Sequence, residues 1–131
     1  TTFTGSEISY QPPTGTTCVI YEFISIFGGG ATDGIWNTVL YIDGTQIVYS
    51  TLTSRGYSNG SSPLHFKWAI NIGGTADNNT GRQASWNSAK TLLLRVREYS
   101  SSYSQDAHKI VHNQFGGGTF KQPQIGITAI G

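Results

Sequence analysis

Three histidines are the side chains best suited to chemistry, and two of them, His108 and His112, lie four residues apart with Asp106 close by. That spacing aligns two imidazoles on a helix and keeps them on one face of a strand, the first requirement of a metal site. His65 is distant in sequence and no third ligand clusters with the pair, so surface or interface histidines and no metal are expected. A trimer that ringed three copies of that face around its axis is the one route to a site. Nucleophilic catalysis asks for a serine on a tight turn with a histidine and an acid in reach, and no Gly-x-Ser-x-Gly elbow occurs. The carboxylates Glu7, Glu22, Glu98, Asp33, Asp43, Asp77 and Asp106 are scattered. Glu22 and Glu98 sit inside apparent strands, where pairing with Arg95, Arg97 or Lys67 across the sheet is a better account than an acid pair for glycoside hydrolysis.

The remaining motifs have structural explanations. Asp77-Asn78-Asn79 followed by Gly81 is oxygen-rich but lacks the spacing and closing glutamate of an EF-hand loop, so a solvated loop is expected. Neither triple glycine, at residues 28–30 or 116–118, is followed by a helix or by Lys-Ser or Lys-Thr, which removes a phosphate cradle. Cys18, the only cysteine, lies in an apolar run and reads as a small buried hydrophobe. The sequence therefore predicts no enzyme and no cofactor.

Recognition by contact fits better than turnover. Tyr57, Trp86, Tyr99 and Tyr103 lie in or beside loops of Asn, Ser and Gly, a mix that offers stacking faces with adaptable hydrogen bonds. Tyr57, Asn59, Trp86 and Tyr103 are the candidate receptor contacts. The competing account is that Trp86 packs its own loop and the tyrosines cap a sheet edge.

Composition bounds the partners. The chain has 131 residues, a net charge of +1 and only 11% charged residues, with no cationic run, so the electrostatic footprint of a nucleic-acid or membrane-surface binder is missing. No apolar stretch reaches the roughly 20 residues of a membrane helix. Glycine at 17 positions and an aromatic share of 12% point to a turn-rich, ordered β protein of one domain, residues 1–131. Methionine is absent, including at position 1, which suggests an excised or processed piece of something longer.

Those side chains have to be positioned by strands. In residues 91–99, Leu92, Leu94 and Val96 share one face while Leu93, Arg95, Arg97 and Tyr99 share the other, the pattern of an inner antiparallel strand. Residues 17–27 alternate as well: Val19, Tyr21, Phe23 and Phe27 with Ser25 on one side, Cys18, Ile20, Ile24 and Ile26 on the other, interrupted by Glu22. Both faces are apolar enough to need cover, one from the opposing sheet and one from another copy of the chain. Further strands are expected over residues 5–10, 35–42, 46–53, 64–72, 108–112 and 124–130. Asp43-Gly44 is the sharpest hairpin signal, residues 55–63 a polar loop, and residues 73–87 a long connection. About eight strands with no helical pattern make an all-β antiparallel β-sandwich, with a jelly roll favoured over an immunoglobulin-like arrangement.

Five segments in this order carry a resemblance: Gly5-Ser6-Glu7-Ile8-Ser9-Tyr10, Val19-Ile20-Tyr21-Glu22-Phe23, Tyr41-Ile42-Asp43-Gly44-Thr45, Phe66-Lys67-Trp68 with Gly73-Gly74, and Arg97-Glu98-Tyr99. From about residue 5 to 99 the chain resembles the C-terminal head modules of fibre-like or other virion structural proteins of marine and cyanobacterial phages. The resemblance implies a jelly roll similar to tumour-necrosis-factor-like trimers, extracellular on the virion at a fibre tip or capsid surface. It implies a homotrimer that touches a host-surface glycan or protein, or else a capsid-decoration or trimerisation domain with no receptor. The expected subunit interface is a sheet face carrying Val19, Tyr21 and Phe23, or one carrying Leu93 and Tyr99.

Overall fold

In a computed structural model of the chain, the alternating segment Lys90–Glu98 is an interior strand, hydrogen-bonded on one side to Gly34–Ile42 and on the other to Ile8–Tyr10. The structure describes residues 1–28, 33–56, 60–103, 106–107 and 121–131. In chain order its strands are β1 (Ile8–Tyr10), β2 (Cys18–Gly28), β3 (Gly34–Ile42), β4 (Thr45–Gln46), β5 (Leu52–Gly56), β6 (Ser61–Asn71), β7 (Lys90–Glu98), β8 (Asp106–Ala107) and β9 (Gln124–Ile130). The larger, five-stranded sheet runs β1-β7-β3, with β4 and β5 sharing the far edge of β3. The smaller, four-stranded sheet runs β6-β2, with β8 and β9 sharing the far edge of β2. Among the described residues the named strands all pair antiparallel, and the two sheets close on one apolar core as a sandwich. The expectation of an all-β antiparallel sandwich therefore holds.

Strand alternation decides which residues meet in the middle. From the larger sheet Leu92 and Leu94 of β7 and Trp36, Leu40 and Ile42 of β3 point inward; from the smaller come Val19, Tyr21, Phe23 and Phe27 of β2 with Leu64, Phe66 and Ile70 of β6. Edge-to-face rings knit the layers together: Phe3 meets Phe23 at 5.1 Å and Phe27 at 5.2 Å between centroids. Each such fully buried side chain is worth roughly 1.5–3 kcal/mol of transfer free energy. This arrangement corrects one expectation. Val19, Tyr21 and Phe23 are 0% exposed within a single chain, so they cannot form a subunit interface. β2 is flanked on both sides, and its bulkier aromatic row is the one that fits the gap between sheets. The row left outside is Cys18, Ile20, Glu22, Ile24 and Ile26, each half-buried. Cys18 is accordingly half-buried rather than enclosed.

The Asp43-Gly44 hairpin forms as its chemistry predicts. Asp43 has φ 46° and Gly44 φ 78°, the two positive values a type I′ turn requires, and Tyr41 and Ile42 pair with Gln46 and Thr45. The return arm, expected to run unbroken from residue 46 to about 53, instead lifts away in a 3-10 turn at Val48–Ser50 before resuming at Leu52. Ile47 and Ser50 hold that detour to β3: the Ile47 N–H donates to Leu40 O at 2.9 Å, and the Leu40 N–H donates to Ser50 Oγ at 2.9 Å. A buried serine oxygen thus replaces the missing strand partner.

The polar loop expected over residues 55–63 is shorter at both ends. Arg55 and Gly56 finish β5, while Ser61, Ser62 and Pro63 begin β6 opposite Gly28, Phe27 and Ile26. Pro63 is tolerated because β6 is the edge strand of its sheet. The strand expected at residues 108–112 lies outside the described residues.

Candidate binding surfaces

Of the four candidate receptor contacts, Tyr57 and Asn59 lie outside the described residues, and Tyr103 closes the 3-10 turn Ser101–Tyr103. Trp86 has a different role from the one a receptor contact needs. It is only 4% exposed, its indole N–H donates to Tyr10 O at 3.1 Å, and its ring meets that of Tyr10 edge to face at 6.3 Å. It anchors the 73–87 connection to β1. A buried ring has no free face on which a ligand can stack.

The same connection accounts for Asp77. Its carboxylate accepts the Asn79 N–H at 2.9 Å and the Thr80 hydroxyl at 3.0 Å, an Asx-type turn that uses both oxygens. Gly81 follows at φ 84°, with space for a Cβ closed off by Ile47 Cγ2 at 3.1 Å. Asn78 and Asn79 carbonyls then accept the backbone N–H groups of Val48 and Tyr49, pinning the loop to the 3-10 turn. Among the described residues no group of three potential metal ligands comes together, and His108 and His112 lie outside them.

His65 and Glu22 do meet. Their side chains are 2.7 Å apart on the outer face of the smaller sheet, with 58% and 33% exposed. The expected partners of Glu22, namely Arg95, Arg97 or Lys67, are not the one it takes: Lys67 stands directly opposite, but Glu22 meets the diagonal neighbour His65, which stands opposite Ile24. Such an exposed pair contributes little to stability. Around it the face is aliphatic along its middle row, Ile20, Ile24 and Ile26, with Ala69 and Pro63 beside it on β6.

The outer face of the larger sheet has the opposite character. Arg95 and Arg97 project from β7, opposite Val39 and Asn37 of β3, and both are exposed. The Arg95 guanidinium lies over the Tyr41 ring at 4.4 Å, a cation–π contact. Leu93 is half-buried on this face, and Tyr99, just beyond the end of β7, is 74% exposed. A groove of about 320 Å³ runs between the two arginines and the β3 edge, lined by Asn37, Val39, Tyr41 and Gln46. Asn37 accepts a hydrogen bond from Thr53 through its amide oxygen at 2.8 Å, and Gln46 accepts one from the Tyr41 hydroxyl at 3.3 Å.

A larger cleft of about 670 Å³ opens at one end of the sandwich, where Phe27, Trp36, Val96, Tyr99 and Ala107 come together. Trp36 Nε1 is buried with no hydrogen-bond partner among the described residues. Alternation placed Arg95 and Arg97 on the strand face opposite Leu92, Leu94 and Val96 but gave no sign of the groove. Its other half comes from β3 and the β4 detour, whose register against β7 has no local signature. The same limit hid Tyr49, 64% exposed in the 3-10 turn.

No protein-family model matches the chain, and no curated protein or solved structure is found to be similar to it.

Proposed function

We propose that this chain is a non-enzymatic attachment head: a jelly-roll module that assembles as a homotrimer on a phage virion, at a fibre tip or capsid surface, and touches a host-surface glycan or protein. The observation that carries this reading is the groove on the larger sheet. Its Arg95, Arg97, Asn37 and Gln46 are poised for contact, and none is packed into the core. The phage context rests on the resemblance of the five segments named above. The jelly roll is one of the double-sheet arrangements compatible with a chain that passes from sheet to sheet at β1–β2, β2–β3, β5–β6, β6–β7 and β7–β8. Adsorption of the purified chain to candidate host cells, with a glycan array alongside, tests the attachment. Saturable binding to one host or glycan class is expected; uniform failure across hosts and glycans overturns it.

The aliphatic row Ile20, Ile24 and Ile26 favours a second reading, a capsid-decoration or trimerisation domain with no receptor. Light scattering together with the adsorption assay separates the two. A trimer that adsorbs to nothing supports the second.

A further inference from the structure

We propose that the groove on the outer face of the larger sheet is a binding site for a negatively charged sugar unit, carboxylated or sulfated, gripped by Arg95 and Arg97. The inference rests on the attachment reading and names the ligand chemistry of its surface. Three observations lead to it. The first is uncompensated charge. Neither guanidinium takes part in an ion pair among the described residues, whereas two of the three other strand cations, Arg55 and Lys90, pair with Asp33 and Asp43, and only Lys67 on the other sheet does not. Their cross-strand neighbours, Val39 and Asn37, carry no charge, and Glu98 follows on the opposite side of the strand, paired with Trp36. Two residues apart on one face, the Cα atoms of Arg95 and Arg97 stand roughly 7 Å from each other, within reach of one anionic group or of an anion and an adjacent hydroxyl.

The second observation is the sense of the hydrogen bonds. The amide oxygens of Asn37 and Gln46 are already used as acceptors, by Thr53 and Tyr41, which leaves each amide nitrogen to donate. The groove therefore offers hydrogen-bond donors from four side chains, Arg95, Arg97, Asn37 and Gln46, the complement of a ring bearing an acid group. Third, Arg95 is oriented before any ligand arrives. Its guanidinium carbon lies over the Tyr41 ring, 4.4 Å from the centroid, which reduces the rotamer freedom lost on binding, and its N–H groups can fork an oxyanion. Val39 supplies an apolar floor for the ring carbons, and a volume of about 320 Å³ suits a single sugar unit rather than a long chain.

Isothermal titration of the 131-residue chain with a uronic-acid oligosaccharide, its sulfated analogue, a neutral oligosaccharide of equal length and an acidic peptide tests this, with cell adsorption run in parallel. The expected result is binding of one or both acidic sugars and not of the neutral one, weakening with added salt. Arg95→Gln and Arg97→Gln should each weaken it about tenfold or more, as loss of a charge-assisted hydrogen bond implies, with unchanged melting temperature. Lys67→Gln, on the other sheet, should leave it unaltered. If the neutral oligosaccharide binds as well as the acidic ones, or if R95Q and R97Q bind normally, the site is overturned while attachment stands. The same follows if only the acidic peptide binds, or if cells adsorb the chain and every acidic sugar fails. Failure of sugars, peptide and cells together overturns both.

Discussion

Ser6 holds more of this fold in place than its size suggests. Its hydroxyl donates to Phe3 O at 2.6 Å and accepts the Leu94 N–H at 3.0 Å, while its own carbonyl accepts the Tyr21 hydroxyl at 2.6 Å. One fully buried serine thereby ties the N-terminal segment to β7 and, through Tyr21, to the opposite sheet. Ser6→Ala leaves the Leu94 N–H without an acceptor away from water, so a loss of about 1–3 kcal/mol is expected. Urea denaturation would register it as a lower midpoint at unchanged slope. Tyr21 adds a pH dependence. Burial drives its phenol pKa well above the ordinary 10.0, with the nearby Ser6 hydroxyl opposing in part. Above pH 10 the unfolded chain gives up this proton while the folded chain keeps it, so the folded state then binds more protons and stability falls as pH rises. Below pH 10 that contribution is fully present. Melting temperature measured from pH 8 to 11.5 should decline past 10, and Tyr21→Phe, though about 1 kcal/mol less stable at neutral pH, should decline less steeply.

Among the elements, the β3–β4 hairpin shows how far local chemistry reaches. Its turn needs positive φ at both central positions, and the Asp43 carboxylate also accepts the Thr91 N–H at 2.8 Å, fastening the hairpin to β7. Asp43→Ala removes that acceptor and places a Cβ where the left-handed region disfavours it, so about 1–3 kcal/mol of stability should be lost. Asp43→Asn keeps an oxygen at the same position and tolerates the same backbone, and its melting temperature should stay near that of the parent. Equal losses in both variants would show that charge, through Lys90 at 3.9 Å, matters more than turn geometry.

At the scale of the whole molecule, the proposed homotrimer has to bury one of the outer faces. With Val19, Tyr21 and Phe23 enclosed, self-association has to use what remains outside, and the aliphatic row of β2 is its best candidate. If copies meet there, Ile24→Lys should convert the oligomer to a monomer of unchanged circular dichroism, as read by light scattering. Phe23→Lys, by contrast, should abolish folding, because a lone charge in the core has no partner. A trimer that survives Ile24→Lys would move the seam to Leu93 and Tyr99.

Alternation, turn residues and composition determined by themselves that this chain is an antiparallel β-sandwich, that β7 lies inside a sheet and that Asp43-Gly44 reverses the chain. Each of these follows from a period of two or from backbone preferences within a few residues. Which side of β2 faces inward was not settled that way, since both of its rows are apolar and only the shape of the gap between sheets distinguishes them. The burial of Trp86 and the stacking of Arg95 on Tyr41 were likewise decided by tertiary structure. Both depend on register between segments 40 to 80 residues apart in the chain, which no local pattern encodes.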